Sequence, residues 1–218
     1  MTSNSLEDSD LYYIDLKSND PIDLYTEWHS EAKKFSKGFT NVICLSTVSS
    51  DCCPRSRHVF LQSYDENGFV FFTDSRGRKA QEIAANNHGS ACVYWIFTND
   101  KCEDIMKQVR IEGTIEYLPR NEVEKVYNAQ SLYAKIRAHL CHQDAVVNWD
   151  ELKKRHDVLL EQAKIDYSFL QMPDHFIGCR LIPTWMDFYA SKNKCIADRM
   201  EFDKSEDGIN WIHRRLAA

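Results

Sequence analysis

The sequence predicts a mainly β protein of the α+β class, an antiparallel sheet or barrel with helices packed outside it. Two observations carry that expectation. Short β-branched and aromatic runs follow one another as meanders, such as VICLSTVS (42–49), RHVFLQSY (57–64) and GFVFFTD (68–74). The helical patterns are grouped between such runs rather than alternating strictly with them, which disfavours a doubly wound parallel sheet. In addition, no GxGxxG or Walker sequence is present, so the common nucleotide folds lack their signal.

The elements read in order as follows. Residues 1 to about 20 are polar and acidic and are expected to be loosely attached, which leaves 21–218 as one domain. From Pro21, Ile22, Tyr25, Trp28, Ala32 and Phe35 recur at helical spacing. Three strands follow, split by the turns SSDCCPRS and DENG. RKAQEIAANN reads as a helix, and SACVYWIF (90–97) and KQVRIEGTIEYLP (107–119) as strands joined by a long polar connection, TNDKCEDIMK. RNEVEKVYNAQSLYAKIRAHL and NWDELKKRHDVLLEQAK are each amphipathic helices, and FIGCRLIPTWMDFYAS and the C-terminal run return to strand character.

Composition bounds the function. Across 218 residues the net charge is −6, with no basic block, which argues against nucleic acid or an anionic membrane surface as partner. No apolar stretch approaches the roughly 20 residues that span a bilayer, and the start of the chain reads as neither a secretory signal nor a transit peptide. The eight cysteines show no zinc spacing and several lie inside apolar runs, so they are expected to be reduced thiols of a cytoplasmic protein. His139 and His142 lack a third ligand at metal spacing.

One short stretch is chemically odd. FTDSRGRKAQEI ends a strand, turns through Asp74, Ser75 and Gly77, and opens a helix with Arg78 and Lys79. Helix N-termini favour acidic residues because the macrodipole is positive there. Two cations at that end are unfavourable unless an anion sits between them. A solvated charge pair is the commoner reading of such a turn; a phosphate clamp, with Thr73 adding a hydroxyl, is the functional one.

The blocks flanking this turn decide between them. In order they are ICLSTVSSDCCPRSRHVFLQSYDENGFVFFTDSRGRKAQEI, QVRIEG, RLIPTWMDFYASKNK, the pair Asp198-Arg199, and WIHRRL. Together, over about residues 20 to 218, the chain resembles the pyridoxamine 5′-phosphate oxidase family. The resemblance implies a split β-barrel and an oxidoreductase with FMN as cofactor. It also implies a homodimer with two flavin sites at the subunit interface. It points to Arg57, His58, Val59, Phe60 and Gln62 in the first flavin segment, and to Phe72, Thr73, Arg78 and Lys79 in the second. Gln108, Gln143, Tyr189 and Arg199 complete the flavin set, with Tyr189 standing where the family has Trp.

The substrate half departs from the family pattern. The family Lys that helps hold the substrate is here Gln62. The Tyr, Arg and Ser that grip the substrate phosphate fall at Val126, Gln130 and Ala134; a one-residue slip would put Tyr127, Ser131 and Lys135 there instead. The Arg-x-His that closes over the substrate ring is Cys195-Ile196-Ala197. The expectation is an FMN-binding oxidoreductase with an altered substrate. A genuine pyridoxamine or pyridoxine 5′-phosphate oxidase and a non-catalytic flavin-binding protein are the alternatives.

Overall fold

The computed structural model describes residues 9–166 and 168–218. Its elements run α1 (Pro21–Phe35), β1 (Val42–Val48), β2 (Pro54–Asp65), β3 (Gly68–Asp74), α2 (Arg78–Ala85), β4 (His88–Thr98), β5 (Asp104–Tyr117), α3 (Arg120–Asn128), α4 (Leu132–Leu140), α5 (Trp149–Ile165), β6 (Phe176–Lys192), β7 (Asp198–Lys204) and β8 (Trp211–Leu216). The strands form one sheet in the order β3-β2-β1-β4-β5-β6-β7-β8, and a further β3–β6 pairing closes the first six into a barrel. Every ladder is antiparallel.

Strand β6 makes closure possible. Its first part, Phe176–Leu181, pairs with β3 and its second, Trp185–Ala190, with β7, while β5 runs along both. The change of neighbour falls at a register shift after Glu112, where β5 places Gly113 against Pro183. A Cβ on Gly113 would lie 1.9 Å from the Ile182 carbonyl oxygen, so only glycine permits this approach. Gly68 ends the β2–β3 turn at φ +124° with the same constraint against Leu181.

The barrel core is aromatic and aliphatic. Helix α1 starts on Asp20, whose carboxylate accepts from the Ile22 N–H, and Pro21 occupies its first turn. It buries Leu24, Tyr25, Trp28 and Ala32. The Tyr25 ring meets Tyr64, Phe69 and Trp95 at centroid distances of 4.7, 4.9 and 5.5 Å. His29 stacks on Trp95, and burial, then the nearby Lys33 charge, lowers its pKa to about 4.

Four differences from the sequence reading have physical causes. Half of the long polar connection at 98–107 is ladder, since β4 and β5 pair from His88–Thr114 to Thr98–Asp104 and leave 99–103 as the turn. The helix expected over 120–140 is two, because α3 ends at Asn128 and the Ser131 side chain caps α4 by accepting from the Ala134 N–H. Strand β2 begins at Pro54, three residues early, because its edge pairing with β1 continues to Val48. Of the segment expected to be loose, residues 1–8 lie outside the described residues, but 10–14 are tied down. Tyr12 N–H donates to the Ile196 carbonyl, Ile196 N–H to the Asp10 carbonyl, and Ile14 N–H to the Asp198 carboxylate, with Ile14 3% exposed.

All eight cysteines are free thiols. Among the described residues no helix is long and apolar enough to cross a membrane.

Candidate functional site: a cationic cleft beside the barrel

A cleft of about 760 Å³ lies between strands β2 and β3 on one side and helices α3 and α4 on the other. Phe72, Tyr127 and Phe176 of its lining belong to a small apolar cluster that also holds Val123 and Met172. Nine of the thirteen residues expected at a flavin site line it: Arg57, His58, Val59, Phe60, Gln62, Phe72, Thr73, Lys79 and Gln143.

Lys79 is the central group. It is 6% exposed, and its ammonium donates to the Thr73 hydroxyl at 3.0 Å. Among the described residues no carboxylate pairs with it. Burial, then the charges of Arg57 and Arg137, push its pKa below 10.5. A buried cation with a neutral partner is costly unless a ligand supplies the missing anion.

Arg57 is held differently. Its guanidinium donates to Thr47 Oγ1 and to Glu82, whose carboxylate also takes a 2.8 Å bond from Arg55. Burial opposes ionisation of Glu82, but hydrogen bonds from Thr47, Arg55 and Arg57 outweigh it and hold the carboxyl at about 2. The fork of Arg57 is thus fixed from behind by α2, with the residue still on the cleft wall.

The turn between β3 and α2 fixes the mouth of the cleft. Asp74 takes both Nε and Nη2 of Arg76, and Arg76 Nη2 also reaches the Cys141 carbonyl at 3.0 Å. Burial raises the Asp74 pKa, but the bonds from Arg76 and from the backbone N–H groups of Arg76 and Gln143 bring it to about 2. This pins the loop after α4, which delivers Gln143 against Thr73 and Asp144 against α2. The Arg78 N–H donates to Asp144 Oδ2 at 2.7 Å, while the Arg78 side chain points outward. The Arg-Lys helix start thus meets an anion of its own chain, Asp144.

Gln108, Tyr189 and Arg199 are not in the cleft. They are consecutive partners across β5, β6 and β7, and the row continues to Tyr94 on β4. Arg199 Nε donates to the fully buried Asp187 at 2.6 Å, and Arg110 lies 3.8 Å from the same carboxylate. The row lies on a sheet face that leaves Phe60, Tyr94 and Ile96 60, 53 and 61% exposed.

The substrate-side positions also resolve. Gln62, Gln130 and Ala134 line the cleft, and so does Tyr127, while Val126 is not among the lining residues. Tyr127 is buried, and its hydroxyl has no hydrogen-bond partner among the described residues. Ser131 is spent as the cap of α4, and Lys135 donates to the Asn128 carbonyl at 2.9 Å. A single register does not run through 126–135, because the chain breaks between α3 and α4. Ile196 pairs with the N-terminal segment through Leu11. Sequence reasoning missed Arg137, Tyr133, Cys141 and His175, which also line the cleft. Tyr133, Arg137 and Cys141 recur every four residues, so once one face of α4 is known to border a ligand the helical period finds the others.

The closed antiparallel barrel with its cationic cleft against flanking helices has counterparts among known proteins. The chain belongs to the pyridoxamine 5′-phosphate oxidase family: the family profile "Pyridoxamine 5'-phosphate oxidase" matches residues 30–165. The pyridoxine/pyridoxamine 5′-phosphate oxidase of Pelagibacter ubique is 30% identical over 202 residues, covering 91% of each chain. That of Microcystis aeruginosa is 30% identical over 203 residues, covering 92% of this chain and 89% of its own. Among solved structures, PhzG from Burkholderia lata in complex with tetrahydrophenazine-1-carboxylic acid matches with a TM-score of 0.81 at 24% identity, over 96% of this chain and all of that one. A pyridoxamine 5′-phosphate oxidase-related, FMN-binding protein from Nostoc punctiforme matches with a TM-score of 0.69 at 14% identity, over 90% of this chain and 96% of its own. These two establish the shared fold.

Proposed function

We propose that the chain is an FMN-dependent oxidoreductase, with the flavin phosphate held at the Lys79 end of the cleft. The observation that carries the reading is the buried Lys79 ammonium, whose hydrogen-bond partner among the described residues is a single hydroxyl. The residues present fit the cofactor. Lys79 supplies a desolvated cation, Thr73 a hydroxyl, Gln143 an amide, and the start of α2 its backbone donors. FMN, when bound, accepts a hydride from the substrate. The chain's own work is to fix that ring, exclude water and orient the donor. Val59 and Phe72 on the cleft wall are suited to pack against the ring.

The remaining flavin residues support a dimer. Gln108, Tyr189 and Arg199 do not line this cleft and lie instead along the sheet face. A twofold mate docking through Phe60, Tyr94 and Ile96 would bring its own copies to the cleft's open side. The proposed assembly is therefore a homodimer, each flavin site built from two chains.

The finer proposal is that the substrate is not pyridoxamine 5′-phosphate. Gln62 and Gln130 offer no charge where the resemblance expects Lys and Arg, and Cys195 and Ala197 stand where it expects Arg and His. Each absent phosphate contact removes on the order of 1.5–3 kcal/mol. A specific observation favours the second reading, a true oxidase with a rebuilt site: the unpartnered Tyr127 hydroxyl and Arg137 both border the cleft. Formation of pyridoxal 5′-phosphate by the FMN-loaded protein under oxygen separates the two. Turnover near that of an authentic oxidase would overturn the altered-substrate reading; a rate lower by orders of magnitude supports it.

A further inference from the structure

We infer that Asp144 is a resident anion at the phosphate end of the flavin site and sets how strongly the protein prefers FMN to unphosphorylated riboflavin. The inference rests on the flavin reading above.

Helix α2 opens on Gly77, which provides no side-chain cap, and its first turn holds no acidic residue. Its free N–H groups and the positive end of its dipole therefore face the mouth of the cleft beside two cations, Arg78 and Lys79. One of those N–H groups is already taken. Asp144, 66 residues downstream, places its carboxylate on the Arg78 N–H at 2.7 Å. It is held there by construction. Asp74 and Arg76 grip each other and the Cys141 carbonyl, Asp74 also accepts from the Gln143 N–H at 3.4 Å, and Asp144 itself adopts a left-handed φ of +68°. The Asp144 charge also acts on Lys79 without forming an ion pair with it.

A phosphate reaching for Lys79, Thr73 and the α2 N–H groups meets a fixed carboxylate on one of its donors. It must displace Asp144 or share the site with a like charge, and either lowers affinity. Riboflavin carries a hydroxyl at that end, which donates to a carboxylate rather than repelling it. Asp144 thus weakens FMN while leaving riboflavin unpenalised.

The test is fluorescence titration of the flavin-stripped full chain, and of Asp144→Asn and Asp144→Ser, with FMN and with riboflavin. Thermal unfolding of each protein verifies that the fold is kept. Asn retains an acceptor for the Arg78 N–H, so the change isolates the charge. The expected result is FMN affinity tighter by about tenfold or more in both variants, with riboflavin changed by less than about twofold. FMN binding by a variant and none by the parent gives the same answer. Unchanged or weaker FMN binding in the variants overturns the inference and leaves Asp144 as a helix cap. Equal tightening of both flavins overturns it too, because the effect would not be read through the phosphate. If the parent and both variants bind neither flavin, the cofactor reading itself fails and the inference falls with it.

Discussion

Replacing Lys79 with Met should move two quantities in opposite directions. Lys79 is 6% exposed, and its bond to Thr73 at 3.0 Å is the ammonium's sole hydrogen bond among the described residues. Met keeps the length of the side chain and removes the charge, so the desolvation cost disappears and little packing is lost. A gain of about 1 kcal/mol would raise the melting temperature by about 2–4 °C for a chain of this size. FMN binding should weaken, because one charged contact to the phosphate contributes about 1.5–3 kcal/mol, or roughly 10- to 150-fold in Kd.

The pH dependence provides a third reading. Folding lowers the Lys79 pKa below 10.5, so between the folded value and 10.5 the unfolded chain binds more protons. Stability of the parent therefore rises with pH through that window, and the Lys79→Met protein lacks that contribution. Calorimetry of the flavin-free proteins and fluorescence titration with FMN make the measurements. A variant that is less stable without flavin and binds FMN as tightly as the parent would refute the argument, since Lys79 would then be a strut for Thr73.

Three further outcomes follow from the same geometry. Glu82→Gln should destabilise the protein by about 1.5–3 kcal/mol, since Arg55 and Arg57 lose a charged acceptor on a side chain 4% exposed. Its folded pKa of about 2 lies below the usual 4.5, so the parent loses this contribution as pH falls through that interval; acid unfolding of the variant should lack that component, and an identical acid profile would count against it. Tyr94→Glu with Ile96→Asp should give a monomer by sedimentation and weaken FMN binding; a dimer unaffected by both charges would move the interface elsewhere. With pyridoxamine 5′-phosphate, Gln62→Lys should raise the rate of pyridoxal 5′-phosphate formation over the parent, and no gain would mean that position 62 is not what limits this substrate.

The barrel was legible because each strand announces itself over a few residues. GFVFFTD matches β3 end for end, and the α1 pattern matches Pro21–Phe35. What misled was polarity taken as loop. Residues 104–106, taken with the polar connection, are the start of β5, and Ile105 among them is 3% exposed; the adjoining Lys107, expected at the strand's start, is 4% exposed because its ammonium pairs with Glu31 and sits 4.8 Å over the Trp28 ring. The break at Ala129–Ser131 was written in the sequence as a cap, Ser131, but Ser inside an amphipathic pattern is a weak stop signal unless the cap bond is seen.

The candidate site divides along a sharper line. Thr73 and Lys79 lie within one strand-turn-helix unit, where local sequence dictates geometry, and both line the cleft, while Arg78 of the same unit turns its side chain outward. Gln108, Tyr189 and Arg199 are far apart in sequence yet become neighbours, because β5, β6 and β7 pair in a fixed register. None of the three lines the cleft of its own chain, so a residue expected at a site from sequence need not lie in the cleft that its chain forms. Asp144 is the opposite case. In sequence it is an ordinary acidic residue in a polar loop, and no motif marks it. Its position follows from a clamp between Asp74, Arg76 and the Cys141 carbonyl that joins segments more than sixty residues apart. Yet the sequence did pose the question it answers: a helix that starts with Arg-Lys and has no acid in its first turn calls for an anion there, and in this fold a loop of the same chain supplies one.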